Sequence, residues 1–480
     1  MNKTQKYTII LILVMGFMVF LYHMPESSNI HDHNNSLILL LAYVIWSVLP
    51  IMTITKRNYY VFEPYTIIML LYMIIMVIRP MQDIIDKEYF CFGTDVMGGC
   101  FKGTVIFIIS YMALHLGYWY DYKIKKQPAI RTYRTLKNKN EYQIDYTDQV
   151  RQTCVILWAI GFGFAILYYV FTGRNPIYAL SLGMMGDQIA ELGLYDSSVK
   201  FMMKLAFMMI IPWIYIVHFD KSKALKYVTT VLMFLHFLAM GSRYILIVAV
   251  VGCMIFPYIC EKRKFSFNKG LIVFVILLIA AGVIAFYRNG FRTGGSINMD
   301  GFTVDSIFSV FDSDFTIYRA YYCAVKEMPR NLEFQMGKGL IVYSLTSFLP
   351  SIIFPYKREF DNVGMIITTV VNERAGNSGI AYLNLGQFYA EFGSIGCIVC
   401  MFILGKIARY LKRLYEDGCS NVNRIILYCT MFPFLMQIII RGDLAQQLNS
   451  LLGIIIPYFV LKYTCHFHTD CKHPQEERMI

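Results

Sequence analysis

The chain has 480 residues, 57% of them hydrophobic and 16% charged, with a mean hydropathy of +0.49. A soluble domain carries about 25% charged residues, so this composition excludes a soluble globular protein and sends the excess apolar surface to lipid. The formal net charge of +12 invites a nucleic-acid partner, but its distribution follows membrane topology, and no nucleic acid is expected.

Met1–Lys6 is short and basic, and the apolar run 7–22 follows. No small-residue cleavage site precedes Leu21-Tyr22-His23-Met24-Pro25, so the run reads as a retained anchor. Further apolar runs cover 37–54, 61–78, 103–120, 150–171, 201–219, 224–240, 244–260, 270–287, 383–405, 425–440 and 449–461. A helix rises 1.5 Å per residue through about 30 Å of hydrocarbon, so runs of about this length predict spanning helices. Helices are required there because lipid cannot satisfy backbone polar groups. The expectation is an all-α polytopic membrane protein with about 12 spans. No internal repeat is visible.

Orientation follows from Lys and Arg in the connecting loops. With the N-terminus in the cytoplasm, the inner loops carry 27 and the outer loops 8, leaving aside the stretch 288–379. Both termini, including the tail 462–480, then lie inside. The stretch 288–379 lies outside as one large loop between the ninth and tenth spans. It carries nine Lys/Arg and nine Asp/Glu, so it is neutral. It is also rich in Phe, Tyr, Ile and Leu, which suits folding against the membrane. A loop this long in a compact protein is usually functional or disordered, and this one reads as functional.

Several polar residues at or near outer helix ends suit chemistry on an anion. Arg79, Arg174, Arg243, Arg288, Arg292, Arg319 and Arg441 are placed there by the span assignment. A guanidinium offers a rigid fork of donors that matches phosphate oxygens and keeps its charge. Each position also suits a cation snorkelling to lipid headgroups. Arg409 and Arg413, counted on the inner side, are expected to tolerate replacement. Gln387 and Glu391 lie four residues apart on one face of the tenth span. An intramembrane carboxyl is costly and marks a functional or packed polar site. His236 reads as a packing residue. The tail segment Cys465–His473 carries Cys and His, but its spacing matches no standard zinc module, and Cys397 and Cys400 lie inside an apolar helix. Cys91 and Cys100 are close enough in sequence for a bridge, which spacing alone does not show.

The segment Asn377-Ser378-Gly379-Ile380-Ala381-Tyr382, with Gln387-Phe388-Tyr389-Ala390-Glu391-Phe392-Gly393-Ser394-Ile395-Gly396 and then Gly405, resembles a family signature. That signature is the late (E/Q)-x-Y-x-N-F-G-x-x-G pattern of bacterial O-antigen and capsule repeat-unit polymerases of the Wzy type. Gly339 to Lys357 resembles the family's G-x-x-Y … P-R … P-x-K-P segment, and Gly241-Ser242-Arg243 resembles its G-S-R motif. Together these cover roughly the C-terminal half. There are departures: Glu391 stands where Asn is common, Ser351 replaces the Arg after Pro350, and Arg358 replaces the Pro after Lys357. No role is therefore carried over for that second arginine.

The resemblance implies an enzyme of the bacterial inner membrane that acts on polyprenyl-diphosphate-linked oligosaccharides at the outer face. The growing chain is moved onto a sugar hydroxyl of the next lipid-linked unit, and the lipid diphosphate leaves. It implies no nucleotide sugar, no metal and no cofactor. Membrane lipids, a chain-length regulator and a flippase are the expected partners. Arg243, Arg288, Arg292 and Arg441 would face the leaving diphosphate. Glu391, or one of Asp312, Asp314 and Glu373, would act as base. Arg319, Lys357, Gln387 and Tyr389 would help bind the lipid diphosphate and sugar. An O-antigen ligase has a similar layout but relies on a histidine in its large outer loop, and none of the nine histidines falls in 288–379. A transporter of the same lipid would show internal repeats and broken helices, and the sequence shows neither.

Overall fold

The computed structural model describes residues 33–54, 62–91, 94–120, 147–172, 202–239, 243–260, 317–346, 381–417 and 422–464, with a few single positions between 15 and 21 and between 349 and 356. Ten of the twelve expected spans fall within these residues, and each is a helix. The runs 7–22 and 270–287 lie outside or almost outside them. Among the described residues the fold is helical apart from one small hairpin, β1 (Phe90–Cys91) paired antiparallel with β2 (Thr94–Asp95). The main helices are α1 (His33–Ile54), α2 (Pro64–Ile85), α3 (Cys100–Trp119), α4 (Asp148–Thr172), α5 (Met202–Phe219), α6 (Lys223–Ala239) and α7 (Arg243–Cys260). They continue with α8 (Tyr318–Glu327), α9 (Leu383–Asp417), α10 (Val422–Arg441) and α11 (Leu444–Thr464).

Seven of these are long and apolar enough to cross a membrane: α2, α3, α4, α5, α9, α10 and α11. α4 shows most plainly what such a helix does with its apolar surface. Ile156, Ile160, Ile166, Leu167, Val170 and Phe171 are all exposed on it, an arrangement stable only against lipid. α2 contains a π-helical stretch, Ile74–Ile78, just before Pro80. The Arg79 N–H reaches back to the Ile74 carbonyl. This wider turn accommodates a proline that an ordinary helix interior would not. α3 and α9 cross at backbone distance, since a Cβ on Gly405 would lie 2.2 Å from the Leu114 carbonyl oxygen. Small residues at such crossings let membrane helices pack by close contact.

The helix ends sort into two groups, as alternating spans require. At one end Tyr118 and Lys412 both donate to Glu63, at 2.5 and 2.6 Å. Arg151 pairs with buried Asp220 at 2.7 Å, and Gln149 donates to the Thr464 carbonyl. At the other end Arg319 pairs with Asp83 at 2.6 Å, Gln387 meets the start of α11, and Lys204 meets Ser450. These are called the Glu63 end and the Asp83 end below. Each group joins ends that the loop charges assign to one side.

Part of the stretch 288–379 is not loop. α8 packs its tyrosines fully into the bundle, with Tyr318, Tyr321 and Tyr322 at 0% exposure. The Tyr322 hydroxyl bonds to Tyr43 on α1 at 2.6 Å and lies 3.3 Å from the Thr104 hydroxyl on α3. Tyr321 donates to the Gly103 carbonyl. Tyr318 donates to Asp83. Burial, and after it the Asp83 charge, raise the Tyr318 phenol well above its ordinary value, so it remains a donor. Cys100 is a buried unbridged thiol.

Candidate functional site

The site is built on a break in α9. Gly393 sits at φ 68° and ψ −155°, a conformation open in practice to glycine alone. The break corrects the expectation, drawn from the sequence, that no spanning helix is interrupted. Carbonyls before a break lose their partners one turn ahead. Here a chain segment far back in the sequence supplies new ones. Gln335 N–H donates to the Ala390 carbonyl at 2.9 Å, and Met336 N–H to the Glu391 carbonyl at 2.8 Å. The Phe334 ring covers Gly393, where a Cβ would lie 3.1 Å from it. The same ring packs edge-on against Tyr389.

Glu391 lies in the last turn before the break and is 0% exposed. Neither carboxylate oxygen has a hydrogen-bond partner among the described residues. The backbone N–H groups of Gly337, Gly339 and Leu340 lie around it, at the start of the π-helical segment Lys338–Tyr343, but none reaches it with hydrogen-bond geometry. The carboxyl is therefore held next to oriented donors without being consumed by them.

The neighbours of Glu391 are placed by the same elements. The Gln387 side-chain oxygen accepts the Leu444 N–H at 2.9 Å, capping the start of α11. That bond ties α9 to the turn Arg441-Gly442-Asp443, where Asp443 also accepts the Gln446 N–H. Arg441 is exposed at the end of α10. Tyr389 is buried, donates to the Met328 carbonyl at 3.2 Å and accepts from Lys102 at 2.9 Å. Arg319 has 14% side-chain exposure and is engaged by buried Asp83 and by Glu88. Its charge is largely spent inside the protein. Arg243 is the first residue of α7, and its side chain lies outside the described residues, as do Arg288, Arg292, Lys357, Asp312, Asp314 and Glu373. His236 is buried and shares a hydrogen bond with the Tyr169 hydroxyl at 3.2 Å. Gln387, Tyr389, Glu391, Arg319 and the Arg441 turn thus share the Asp83 end.

A family model described as O-antigen polysaccharide polymerase Wzy matches residues 6–468, nearly the whole chain. The chain belongs to the O-antigen polysaccharide polymerase Wzy family. No curated protein and no solved structure matches it. Membership and the apolar helices make it an integral membrane protein. Its activity class is the polymerisation of polysaccharide repeat units.

Sequence reasoning overlooked one residue of this Wzy-family chain. Lys204, in the first turn of α5, is only 8% exposed. It donates to the Ser450 hydroxyl at 2.8 Å and the Tyr244 hydroxyl at 3.3 Å. In the sequence it reads as one more charge flanking a span. Its place a few residues inside the apolar run 201–219 was the signal.

Proposed function

We propose that this chain joins polyprenyl-diphosphate-linked oligosaccharide repeat units into a surface polysaccharide at the outer face of the bacterial inner membrane. The observation that carries the reading is the buried carboxyl of Glu391 at the break in a membrane helix, without a hydrogen-bond partner among the described residues. In the proposed step, a sugar hydroxyl of the incoming unit attacks the anomeric carbon of the growing chain. The carbon–oxygen bond to the diphosphate breaks, and the lipid diphosphate leaves with the electron pair. The hydroxyl proton passes to Glu391, acting as general base. Arg441 and Arg243, with Arg288 or Arg292, meet the charge that develops on the leaving group. The reading assigns that charge to arginines and calls on no metal.

The break at Gly393 also favours a second reading, because transporters build substrate sites at broken helices. Deleting the gene in the native host separates the two. A polymerase deletion leaves surface polysaccharide at one repeat. A transporter deletion accumulates lipid-linked units unexported, and that result would overturn the proposal. A ligase deletion would leave the acceptor without polysaccharide.

The outer-face reading makes its own prediction. A cysteine engineered at Gly301 should react with a membrane-impermeant thiol reagent added to whole cells, and one at Lys137 should not. Lys137 lies in a basic loop counted on the inner side of the 27-to-8 charge bias, and Gly301 in the stretch 288–379, which the alternation of spans then puts on the opposite side. Labelling at Lys137 alone would put the Asp83 end, and the site with it, in the cytoplasm.

A further inference from the structure

We infer that Lys204 is a substrate contact, binding the diphosphate of the lipid-linked oligosaccharide; this rests on the function proposed above. Lys204 is buried at the Asp83 end, where α5, α7 and α11 meet. The ammonium sits 5.4 Å from the Phe207 ring centre. Its hydrogen-bond acceptors are both neutral: Ser450 on α11 and Tyr244 on α7. These hydroxyls are already organised to accept. Ser450 donates its own proton to the Gln446 carbonyl at 3.0 Å, and the Tyr244 and Ser450 oxygens lie 3.3 Å apart. Hydroxyl oxygens satisfy donors but do not neutralise charge.

Among the described residues no carboxylate pairs with Lys204, and it has no further interaction. Three buried carboxylates do have a cation: Asp83 has Arg319, Glu63 has Lys412, and Asp220 has Arg151. Glu391 and Arg409 are, like Lys204, buried without a charged partner among the described residues. Buried cations are normally paired, so a Lys204 with no carboxylate beside it among the described residues is suited to an anionic ligand. Snorkelling does not account for it, because a snorkelling lysine keeps its head in water. The position supports a phosphate. Tyr244 immediately follows Arg243, so Lys204 touches the residue beside an arginine already assigned to the leaving group. One turn before Ser450 on α11, Gln447 is 2% exposed with its side-chain oxygen unpartnered, an acceptor suited to a sugar hydroxyl.

A phosphate at Lys204 has two sources, the substrate diphosphate or a phospholipid headgroup. The test uses the purified full chain in detergent, with undecaprenyl diphosphate and phosphatidylglycerol as separate probes, read by native mass spectrometry. Lys204→Met should weaken undecaprenyl diphosphate binding about 10- to 100-fold, as loss of one charge-assisted contact implies. Phosphatidylglycerol binding should be unchanged, and Lys204→Arg should stay within a few-fold of the parent. Unchanged diphosphate binding in Lys204→Met overturns the inference but leaves the proposed function standing. Loss of phosphatidylglycerol alone makes Lys204 a headgroup site and also overturns it. If the parent chain binds no undecaprenyl diphosphate, the inference and the functional reading fall together. Ser450→Asp keeps the test decisive should Lys204→Met fail to accumulate. It sets a carboxylate beside the ammonium, so folding is supported by an internal ion pair while the diphosphate is displaced. Parent-level binding in Ser450→Asp would refute the assignment.

Discussion

Glu391→Gln should abolish long polymer while leaving the protein as stable as the parent, or more so. The substitution keeps the volume of the side chain and removes its charge. Neither oxygen of Glu391 is hydrogen-bonded within the described residues, so no ion pair or bond is lost with that charge. A buried charge without a partner is costly, and its removal is neutral or stabilising. A packing role therefore predicts a normal or raised Tm and normal polymer. A general base predicts the same Tm and a rate lower by about 10² to 10⁴. The two readouts are a thermal melt of the detergent-solubilised protein and a gel profile of surface polysaccharide in the complemented deletion strain. Long polymer at parental level in Glu391→Gln would reduce the residue to packing.

Arg441→Ala and Arg243→Ala should each reduce polymerisation about 10²- to 10³-fold, equivalent to about 2–4 kcal/mol of transition-state stabilisation. The leaving diphosphate gains charge as the glycosidic bond breaks, so a guanidinium already in place favours the transition state over the ground state. Arg441 has a structural contribution as well, because a cation at the end of α10 interacts with the helix dipole, worth about 0.3–1 kcal/mol. That is too small to explain the expected loss. Lysine should restore little at either position, because a point charge does not replace the fork. The control must be exposed and at the opposite end, as Lys462 is. Arg409, expected from the sequence to tolerate alanine, is unsuitable. It is 5% exposed and lies 5.8 Å from the Tyr118 ring. If Arg441→Ala and Arg243→Ala, at normal expression, both made long polymer, the leaving-group assignment would fail.

The helices were legible because lipid imposes a simple demand, and about twenty apolar residues meet it wherever they occur. The limits of that signal appear at α9. Hydropathy ends the span at Gly405, where charges begin, but the helix runs on to Asp417, since water does not stop a helix. The break at Gly393 was hidden for another reason. Glycines are common in membrane helices, and what fixes this one in a non-helical conformation is backbone from Gln335 and Met336, far away in the chain. Arg319 shows the same limit. As a sequence letter it is a cation near an expected helix end, yet Asp83, more than 200 positions earlier, engages it. Gln387 and Glu391 were singled out from their shared helical face, a purely local property. Lys204 was missed because a charge at a span boundary looks ordinary until its partners are known.

The break in α9 also bears on how such enzymes can be recombined. The Ala390 and Glu391 carbonyls are completed by Gln335 and Met336, so neither strip of backbone is a finished structure alone. A chimaera that takes its 335–343 segment from one family member and its broken helix from another must match two backbone registers and the fit of Phe334 over Gly393. Grafts that carry both pieces together should express, and grafts that cut between them should not. The unit to be exchanged is therefore this interlocked pair, although its halves are some fifty residues apart in the sequence.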